Sequence, residues 1–442
     1  MVDRSIGTRR ILAVWLLTRT ALLLFVFKIV VFPGPDVTAD VSVIYRGWYE
    51  VLRTGTFPLD DVTWQYPPAA ALAILSPAVL PFLGYASAFF VLALVCDAAV
   101  LGMLLHAGGR GGASRRGAWV WTWGVPLLGP TAYARYDLMV TAVAVAALLA
   151  GVRRPRVLGA LAAFGALLKV WPVLLLVGVP RGRATRRAWG TAAAVAAGLT
   201  LAFVVTMPGA LGFLTHQRDR GTEVESLGAL VFHVARHFGW EGDVALNYGS
   251  VEFLGPHVSL VSTLALLLAV AALGWLVVWR VCVREFGPGT PYDAAFAAVL
   301  LFTTTSRVIS PQYVLWLVGL AAVCLAFRAS RMALPSWLVL AAAGVTVLGF
   351  PVWFAHVVSS DALGVSLLLV RNGLLVAATV VACARLWRTT VRADLPSGAD
   401  SAGDSAPGPA SRTPAGVAVA PRACEPDRRI RHQADGSGRS GA

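Results

Sequence analysis

The stretch from Asp36 to Pro68 concentrates side chains that could act on a sugar hydroxyl. It combines acidic residues with tyrosine and tryptophan, and it follows the first long apolar run of the chain. A general base must lie within hydrogen-bond reach of the hydroxyl that it deprotonates. Asp40 is favoured because it lies a few residues beyond the apolar run, where it can meet a molecule held in the membrane. The candidates for the base are the four aspartates of the stretch, Asp36, Asp40, Asp60 and Asp61.

Three cations lie inside apolar stretches of the chain, namely Lys169, Arg307 and Arg371. Each would cost about 2.5 to 3.5 kcal/mol at the centre of a bilayer, so each needs a partner, a wet cavity or a route to the surface. One interpretation is that each cation pairs with a carboxylate such as Asp137 or Asp361. The other is a cationic pocket for a phosphate, in which lysine supplies a point charge and arginine a two-pronged donor.

A second polar segment, residues 208–256, contains a charged run that ends in Glu225-Ser226. These two residues either cap a short helix or contact an acceptor molecule, and both interpretations stay open. His233 and His237 share a helical face but lack a third ligand, so no metal site is predicted. The five cysteines have no metal-ligand spacing, and the sequence contains no P-loop motif. The residues therefore indicate neither a zinc site nor a nucleotide-driven transporter.

The composition is typical of a membrane protein. Hydrophobic residues make up 57% of the 442 residues and charged residues 14%, whereas soluble domains carry about a quarter charged residues. Apolar stretches recur along the chain and are predicted to be helices, because a helix satisfies its own backbone hydrogen bonds in lipid. The net charge of +14 comes with arginines in short clusters between apolar runs. This distribution favours cytoplasmic loops over a surface that binds nucleic acid.

The arginine clusters set the predicted topology, because basic loops stay in the cytoplasm. The predicted fold class is an all-α polytopic integral membrane protein of the cell membrane, with about twelve crossings. Residues 69–83 are predicted to be a re-entrant or surface helix, since a crossing there would place basic residues outside. The remaining predicted parts are a cytoplasmic N-terminus (1–10), a multi-spanning domain (11–385), external loops (33–68 and 208–256) and a disordered cytoplasmic tail (386–442).

Several short motifs, in their order along the chain, resemble glycosyltransferase family 87. The resemblance covers about residues 10–385. It implies the C-type glycosyltransferase fold and an inverting transfer of mannose from a polyprenyl-phosphate donor, on the extracytoplasmic side, to a glycolipid or glycan acceptor. The motifs are Asp40…Tyr45-Arg46, Trp64-Gln65-Tyr66-Pro67-Pro68, Arg135-Tyr136-Asp137, Lys169-Val170-Trp171-Pro172, Glu225-Ser226 and Ser306-Arg307-Val308-Ile309-Ser310-Pro311-Gln312-Tyr313.

The resemblance also implies roles for individual residues. Asp40 matches the general base, with Asp36 as the alternative, and Lys169, Arg307 and Arg371 are expected to hold the donor phosphate. No nucleotide sugar, obligatory metal or other cofactor is implied, and the expected partners are the donor lipid, the acceptor and membrane lipids, with no nucleic acid. The expected substrate-binding residues are Tyr45, Arg46, Trp64, Tyr66, Arg135, Asp137, Glu225 and Gln312.

A transporter or flippase of lipid-linked sugars is the alternative function, because charges and broken helices inside the membrane also occur in transporters. A transporter needs access from both faces of the membrane, whereas the polar groups of this chain are predicted to cluster on the outer side. The enzyme is therefore favoured. The identity of the donor sugar stays open between mannose and another polyprenyl-linked sugar such as arabinose.

Overall fold

The computed structural model describes residues 2–216 and 221–392. Helix accounts for 70% of the structure, as the predicted all-α class requires. Most of the predicted C-terminal tail, from residue 393 onward, lies outside the described residues. Residues 386–390, which were predicted to begin the disordered tail, are helical because the last helix continues to Thr390.

The described ranges contain sixteen α-helices, several of them joined by single turns of 3₁₀ or π-helix. Within the first polar loop, residues 33–68, the segment Asp40–Tyr45 forms a π-helical turn. The α-helices are α1 (Val2–Val26), α2 (Arg46–Leu52), α3 (Ala70–Leu75), α4 (Tyr85–Gly108), α5 (Arg116–Gly124), α6 (Asp137–Gly151), α7 (Pro155–Leu168), α8 (Arg183–Thr206), α9 (Phe213–His216), α10 (Ala229–Ala235), α11 (Val258–Cys282), α12 (Thr290–Thr304), α13 (Tyr313–Ala326), α14 (Ala333–Val347), α15 (Phe354–Ser359) and α16 (Ala362–Thr390).

The lengths and composition of the helices identify a membrane-embedded protein. Among the described residues, five helical stretches are long and apolar enough to cross a membrane: α4, α8, α11, α16 and α14 with its extension to Val352. Four apolar helices are shorter, namely α6, α7, α13 and residues 70–79. The last of these lies in the segment that was predicted to be a re-entrant or surface helix. The apolar side chains of α8 and α11 are mostly exposed on the outside of the bundle, where lipid would cover them.

The core of the bundle is organised around α13. Every residue of this helix from Val314 to Ala326 is buried, and α13 packs against α5, α6, α12 and α14. A helix that is apolar on all sides is stable only when other elements surround it. Gly319 allows α6 to approach closely, because a Cβ at this position would lie 2.4 Å from Thr141 Cγ2. Since α13 starts at Tyr313, its N-terminal end carries the Ser306–Tyr313 motif into the centre of the molecule.

A buried ion pair, not predicted from the sequence, joins α1 to α4. Arg19 Nε lies 2.7 Å from Asp97 Oδ2, and the other guanidinium nitrogens donate to backbone carbonyls of α5. Asp97 also accepts hydrogen bonds from two indole N–H groups and from the Tyr133 hydroxyl. Charges inside a membrane need such a full set of partners. Because Tyr133 lies two residues before Arg135, this network anchors the turn that carries Arg135.

The second polar segment departs locally from the all-helical prediction. It forms a three-stranded antiparallel sheet of β1 (Thr222–Glu223), β2 (Asp243–Asn247) and β3 (Ser250–Leu254), with β3 in the centre. The two-residue turn between β2 and β3, Tyr248-Gly249, has positive φ angles of 47° and 76°. Positive φ at both positions defines the type I′ turn that suits a tight hairpin. The usual sequences of this turn are Asn-Gly and Asp-Gly. The sequence Tyr248-Gly249 differs from both, so the hairpin was not predicted.

Candidate active site

A cavity of about 660 Å³ lies between the first polar loop and the second polar segment. Its wall combines the turn after α1, the ends of α7 and α12, the β2–β3 hairpin and the start of α13. Four of the twelve predicted site residues, Arg46, Trp64, Asp137 and Arg371, are not part of this wall. The eight that line the cavity are Asp40, Tyr45, Tyr66, Arg135, Lys169, Glu225, Arg307 and Gln312.

The Asp40 carboxylate lies at the start of the π-helical turn and faces Arg135. Arg135 Nη2 is 2.7 Å from Asp40 Oδ2, and Arg135 Nη1 donates to the backbone carbonyl of Val37 at 3.0 Å. The side chain of Asp40 remains 36% exposed, and its Oδ1 accepts no hydrogen bond from any residue that the structure describes. An oriented carboxylate with one oxygen available is the arrangement that a general base needs.

Asp36 also lines the cavity, but its two oxygens are engaged. Asp36 Oδ2 lies 2.7 Å from Lys28 Nζ, and Oδ1 accepts hydrogen bonds from the backbone N–H and the hydroxyl of Thr38. Although partial burial raises it, the hydrogen bonds from Lys28 and Thr38 hold the pKa of Asp36 below its usual value. A lowered pKa makes a carboxylate a weaker base, so this geometry favours Asp40 over Asp36.

The other two aspartates of the loop lie away from the cavity. Asp61 accepts hydrogen bonds from the indole of Trp48 at 2.7 Å and from both the backbone N–H and the hydroxyl of Thr63. It therefore shapes the loop. Asp60 is exposed, and neither aspartate lines the cavity.

Lys169 directly follows α7, and its ammonium group is surrounded by aromatic rings. Lys169 Nζ is 2.7 Å from Asp137 Oδ1, and the same oxygen accepts a hydrogen bond from the Trp316 indole at 2.7 Å. Asp137 is buried behind the wall, whereas Lys169 reaches the cavity. The pairing interpretation therefore applies to Lys169, which also lines the cavity. The rings whose centroids lie 5.0 to 5.6 Å from Nζ are those of Tyr66, Tyr136, Tyr313 and Trp316.

Arg307 lies just beyond α12, and its half-buried side chain lines the cavity. Its Nη1 donates to Ser262 Oγ at 3.4 Å, and its backbone carbonyl accepts from the Glu223 N–H at 3.1 Å. Glu223 also lines the cavity, and its Oε1 accepts from the Ser310 hydroxyl at 2.8 Å. Glu223 was not among the residues predicted from the sequence. Its spacing of two residues from Glu225 is the signal that could have found it, because such residues share one face of an extended segment.

The tip of the β2–β3 hairpin closes the cavity against the first loop. Gln65 Nε2 donates to the backbone carbonyl of Tyr248 at 3.1 Å. A Cβ at Gly249 would lie 3.6 Å from Thr63 Cβ. The two polar segments, which are far apart in sequence, are therefore in direct contact above the cavity.

Cysteines at positions 63 and 249 provide a test of this contact. The separation of 3.6 Å lies within the range of about 3.5 to 4.5 Å between the Cβ atoms of a disulfide. In a background without the native cysteines, the Thr63→Cys/Gly249→Cys protein is expected to lose both thiols on mild oxidation. Thr54→Cys/Gly249→Cys is the matched control. Apart from the chain neighbours of Gly249, Thr63 alone among the described residues has atoms within 4 Å of a Cβ at this position. Equal cross-linking of the two pairs, or none of the first, would contradict the described contact.

The sequence profile of glycosyltransferase family 87 matches residues 64–311, which is more than half of the chain. The chain belongs to glycosyltransferase family 87. No curated protein and no solved structure gave a significant match. The matched range of this glycosyltransferase contains Lys169 and Arg307, and it begins after Asp40.

In this family 87 glycosyltransferase, Arg371 lies behind the cavity wall. Its Nη1 is 2.9 Å from Glu225 Oε1, and its Nη2 donates to the backbone carbonyls of Glu225 and Ile309. Its Nε donates to the side chain of Asn372 at 3.1 Å. Since each nitrogen is engaged and the side chain is buried, Arg371 holds Glu225 at the cavity. This placement does not support direct contact between Arg371 and a donor phosphate.

Replacement of Arg371 by methionine is expected to destabilise the glycosyltransferase in a pH-dependent way. Burial, opposed by Arg371, raises the pKa of Glu225 to about 8. Without Arg371, nothing opposes the effect of burial, so the pKa of Glu225 rises further and the ionised, paired form that the parent protein has above pH 8 is lost. A buried charge that loses its partner costs about 3 to 5 kcal/mol, so the loss of stability should grow as the pH rises through 8. Thermal unfolding of Arg371→Met and the parent protein at pH 6 and pH 9 measures this. A stable variant with weakened donor binding would instead indicate direct contact with the phosphate.

Trp64 and Arg46 also lie away from the cavity of the glycosyltransferase. Trp64 is buried, and its ring packs edge-on against Trp48 at 5.1 Å and Tyr66 at 6.0 Å. Trp64 therefore supports Tyr66, which lines the cavity. Tyr45 stacks on the other side of this aromatic group, 5.4 Å from Trp48. Arg46 is exposed at the first residue of α2.

Proposed function

We propose that this family 87 glycosyltransferase transfers a mannosyl or another glycosyl unit from a polyprenyl-phosphate donor to a cell-envelope glycolipid or glycan, with inversion. One observation carries the proposal: a single cavity brings together Asp40 and the cations Lys169 and Arg307 from distant parts of the chain. Displacement of a phosphate from an anomeric carbon needs a base for the attacking hydroxyl and positive charge for the leaving group. The cavity supplies both.

In the proposed reaction, Asp40 takes the proton of an acceptor hydroxyl. The resulting oxygen attacks the anomeric carbon from the face opposite the phosphate, and the bond between that carbon and the phosphate oxygen breaks with its electron pair moving to the phosphate. Lys169 and Arg307 stabilise the departing polyprenyl phosphate, where charge that is already in position is most effective. Arg135 keeps the Asp40 carboxylate oriented through the 2.7 Å ion pair.

The remaining lining residues are proposed to bind the sugars and the lipid. Tyr45 and Tyr66 offer aromatic faces to sugar rings, while Glu225 and Gln312 offer hydrogen-bonding groups to their hydroxyls. Part of the wall is apolar and would accommodate the first isoprene units of the donor. The residues of this apolar part are Val170, Phe213, Leu214, Phe302, Phe350 and Phe354.

The proposed orientation places the cavity on the extracytoplasmic side of the cell membrane. The arginine clusters between the apolar stretches favour the cytoplasm for the opposite side. In this arrangement the protein has the C-type glycosyltransferase fold with about twelve crossings, several of them made by short helices such as α7 and α13. Residues 33–68 and 208–256 are then the two external segments that form the cavity.

The test is an assay of transfer with the purified full-length protein. Radiolabelled polyprenyl-phosphate-mannose, polyprenyl-phosphate-arabinose and a nucleotide sugar are each incubated with a panel of membrane glycolipid acceptors. Transfer of label from one of the polyprenyl-phosphate donors to an acceptor is the expected result. Uptake of intact donor lipid into vesicles without transfer would overturn the proposal and favour the transporter.

A further inference from the structure

A second, smaller cavity lies between α11 and α16, outside the site described above. Its volume is about 260 Å³. Its wall is formed by Trp275 on α11, by Cys383, Ala384, Trp387 and Arg388 on α16, and by Arg392 just beyond the end of α16. The centroids of the two indole rings are 6.2 Å apart. Because most of α11 is exposed on the outside of the bundle, this cavity faces the surroundings of the protein.

The two arginines of this cavity are Arg388, in the last turn of α16, and Arg392, two residues after the helix ends. Both are exposed, and neither guanidinium group makes an ion pair or a side-chain hydrogen bond with the part of the chain that the structure describes. Nearby arginines are used differently: Arg181 donates to backbone carbonyls at the end of α11, and Arg385 donates to the Arg331 carbonyl. The two guanidinium groups are therefore available to an external anion.

The helices are joined next to the cavity, so its walls are held at a defined separation. The Trp279 indole donates to the Thr390 hydroxyl at 3.0 Å. The backbone N–H of Arg284 donates to the backbone carbonyl of Thr390 at 2.9 Å. These contacts connect the C-terminal end of α11 to that of α16. A preformed groove of this kind loses little conformational entropy when a ligand binds.

We propose that this groove binds the headgroup region of an anionic glycerophospholipid. Guanidinium groups bind phosphate through paired hydrogen bonds, indole rings are enriched at the boundary between lipid tails and headgroups, and basic pockets between membrane helices bind anionic headgroups. The exposed apolar face of α11 provides a surface for the acyl chains. An anionic phospholipid satisfies the arginines and the apolar surface together, and the proposal does not depend on the transferase reaction.

Native mass spectrometry of the full-length protein, titrated with phosphatidylglycerol or with phosphatidylcholine of the same chains, tests the proposal. The expected result is that phosphatidylglycerol binds more tightly than phosphatidylcholine. Arg388→Ala/Arg392→Ala is expected to weaken the binding of phosphatidylglycerol roughly 30-fold. Each basic residue near an anionic lipid surface contributes about 1 kcal/mol, and about 1.4 kcal/mol corresponds to a tenfold change in affinity. Arg183→Ala/Arg187→Ala is the matched control, because it removes the same charge from exposed arginines of α8 that do not line the groove.

A second variant, Trp275→Leu/Trp387→Leu, keeps the arginines and tests the shape of the groove. It is expected to weaken the binding of phosphatidylglycerol, and size-exclusion chromatography checks that both variants remain folded. Equal binding of the two lipids, or an equal loss in the Arg183/Arg187 control, would overturn the proposal. Because the experiment measures lipid binding, its result does not depend on whether the protein transfers a glycosyl unit.

Discussion

Replacement of Asp40 by asparagine is expected to lower the rate of glycosyl transfer by about 10² to 10⁴-fold, with little loss of folded protein. Asparagine keeps the shape of the side chain and can still accept a hydrogen bond from Arg135, but it cannot take a proton from the acceptor hydroxyl. The measurement is the initial rate of transfer at saturating donor. Thermal unfolding shows whether the loss of the 2.7 Å ion pair with Arg135 has changed the fold.

Asp36→Asn is the matched control for Asp40→Asn. Asp36 lies on the same loop and also lines the cavity, but its oxygens are engaged by Lys28 and Thr38. Asp36→Asn is expected to retain most of the transfer rate. If Asp36→Asn abolishes transfer and Asp40→Asn does not, the two aspartates exchange roles and the assignment of the base is wrong.

Replacement of Lys169 by methionine is expected to lower both stability and transfer. It leaves the buried Asp137 carboxylate without its partner, which costs about 3 to 5 kcal/mol in comparable buried pairs. It also removes a positive group from the proposed phosphate site, a type of loss that lowers catalytic rates by about 10² to 10³-fold. Thermal unfolding and the transfer rate of the single variant measure the two effects together.

The double variant Lys169→Met/Asp137→Asn separates these two effects. It removes the unpaired charge, and the asparagine oxygen can still accept the Trp316 indole hydrogen bond. Stability is therefore expected to return towards that of the parent protein, while transfer stays low. Recovery of transfer along with stability would mean that Lys169 acts only as the structural partner of Asp137.

Lys169 and Asp40, two of the residues that line the cavity, could be picked out from the sequence because each is charged and lies in or shortly after an apolar run. A lysine in an apolar stretch must find a partner or water, which identified Lys169, and an aspartate just beyond an apolar run identified Asp40. The five long apolar helices of the structure also follow directly from composition. These features are local, so one sequence is sufficient to find them.

Contacts between distant residues could not be predicted in this way. Arg371 and Glu225 are 146 residues apart. The sequence around each residue does not show that the two side chains form an ion pair. Arg19 and Asp97 are a further example, since both lie in helices that read as apolar, and their pairing depends on how α1 packs on α4. The end of α16 at Thr390 was missed because its last turn, rich in arginine and threonine, resembles a polar tail.

In the proposed function, the cavity with Asp40, Lys169 and Arg307 holds a lipid-linked sugar phosphate. Photo-crosslinking of the purified full-length protein with a polyprenyl phosphate that carries a diazirine beside the phosphate tests it most directly. The expected result is labelling of peptides that contain Lys169 or the Arg307–Tyr313 segment, with less labelling when polyprenyl-phosphate-mannose competes. Labelling confined to other helices, or labelling that the donor does not reduce, would contradict it.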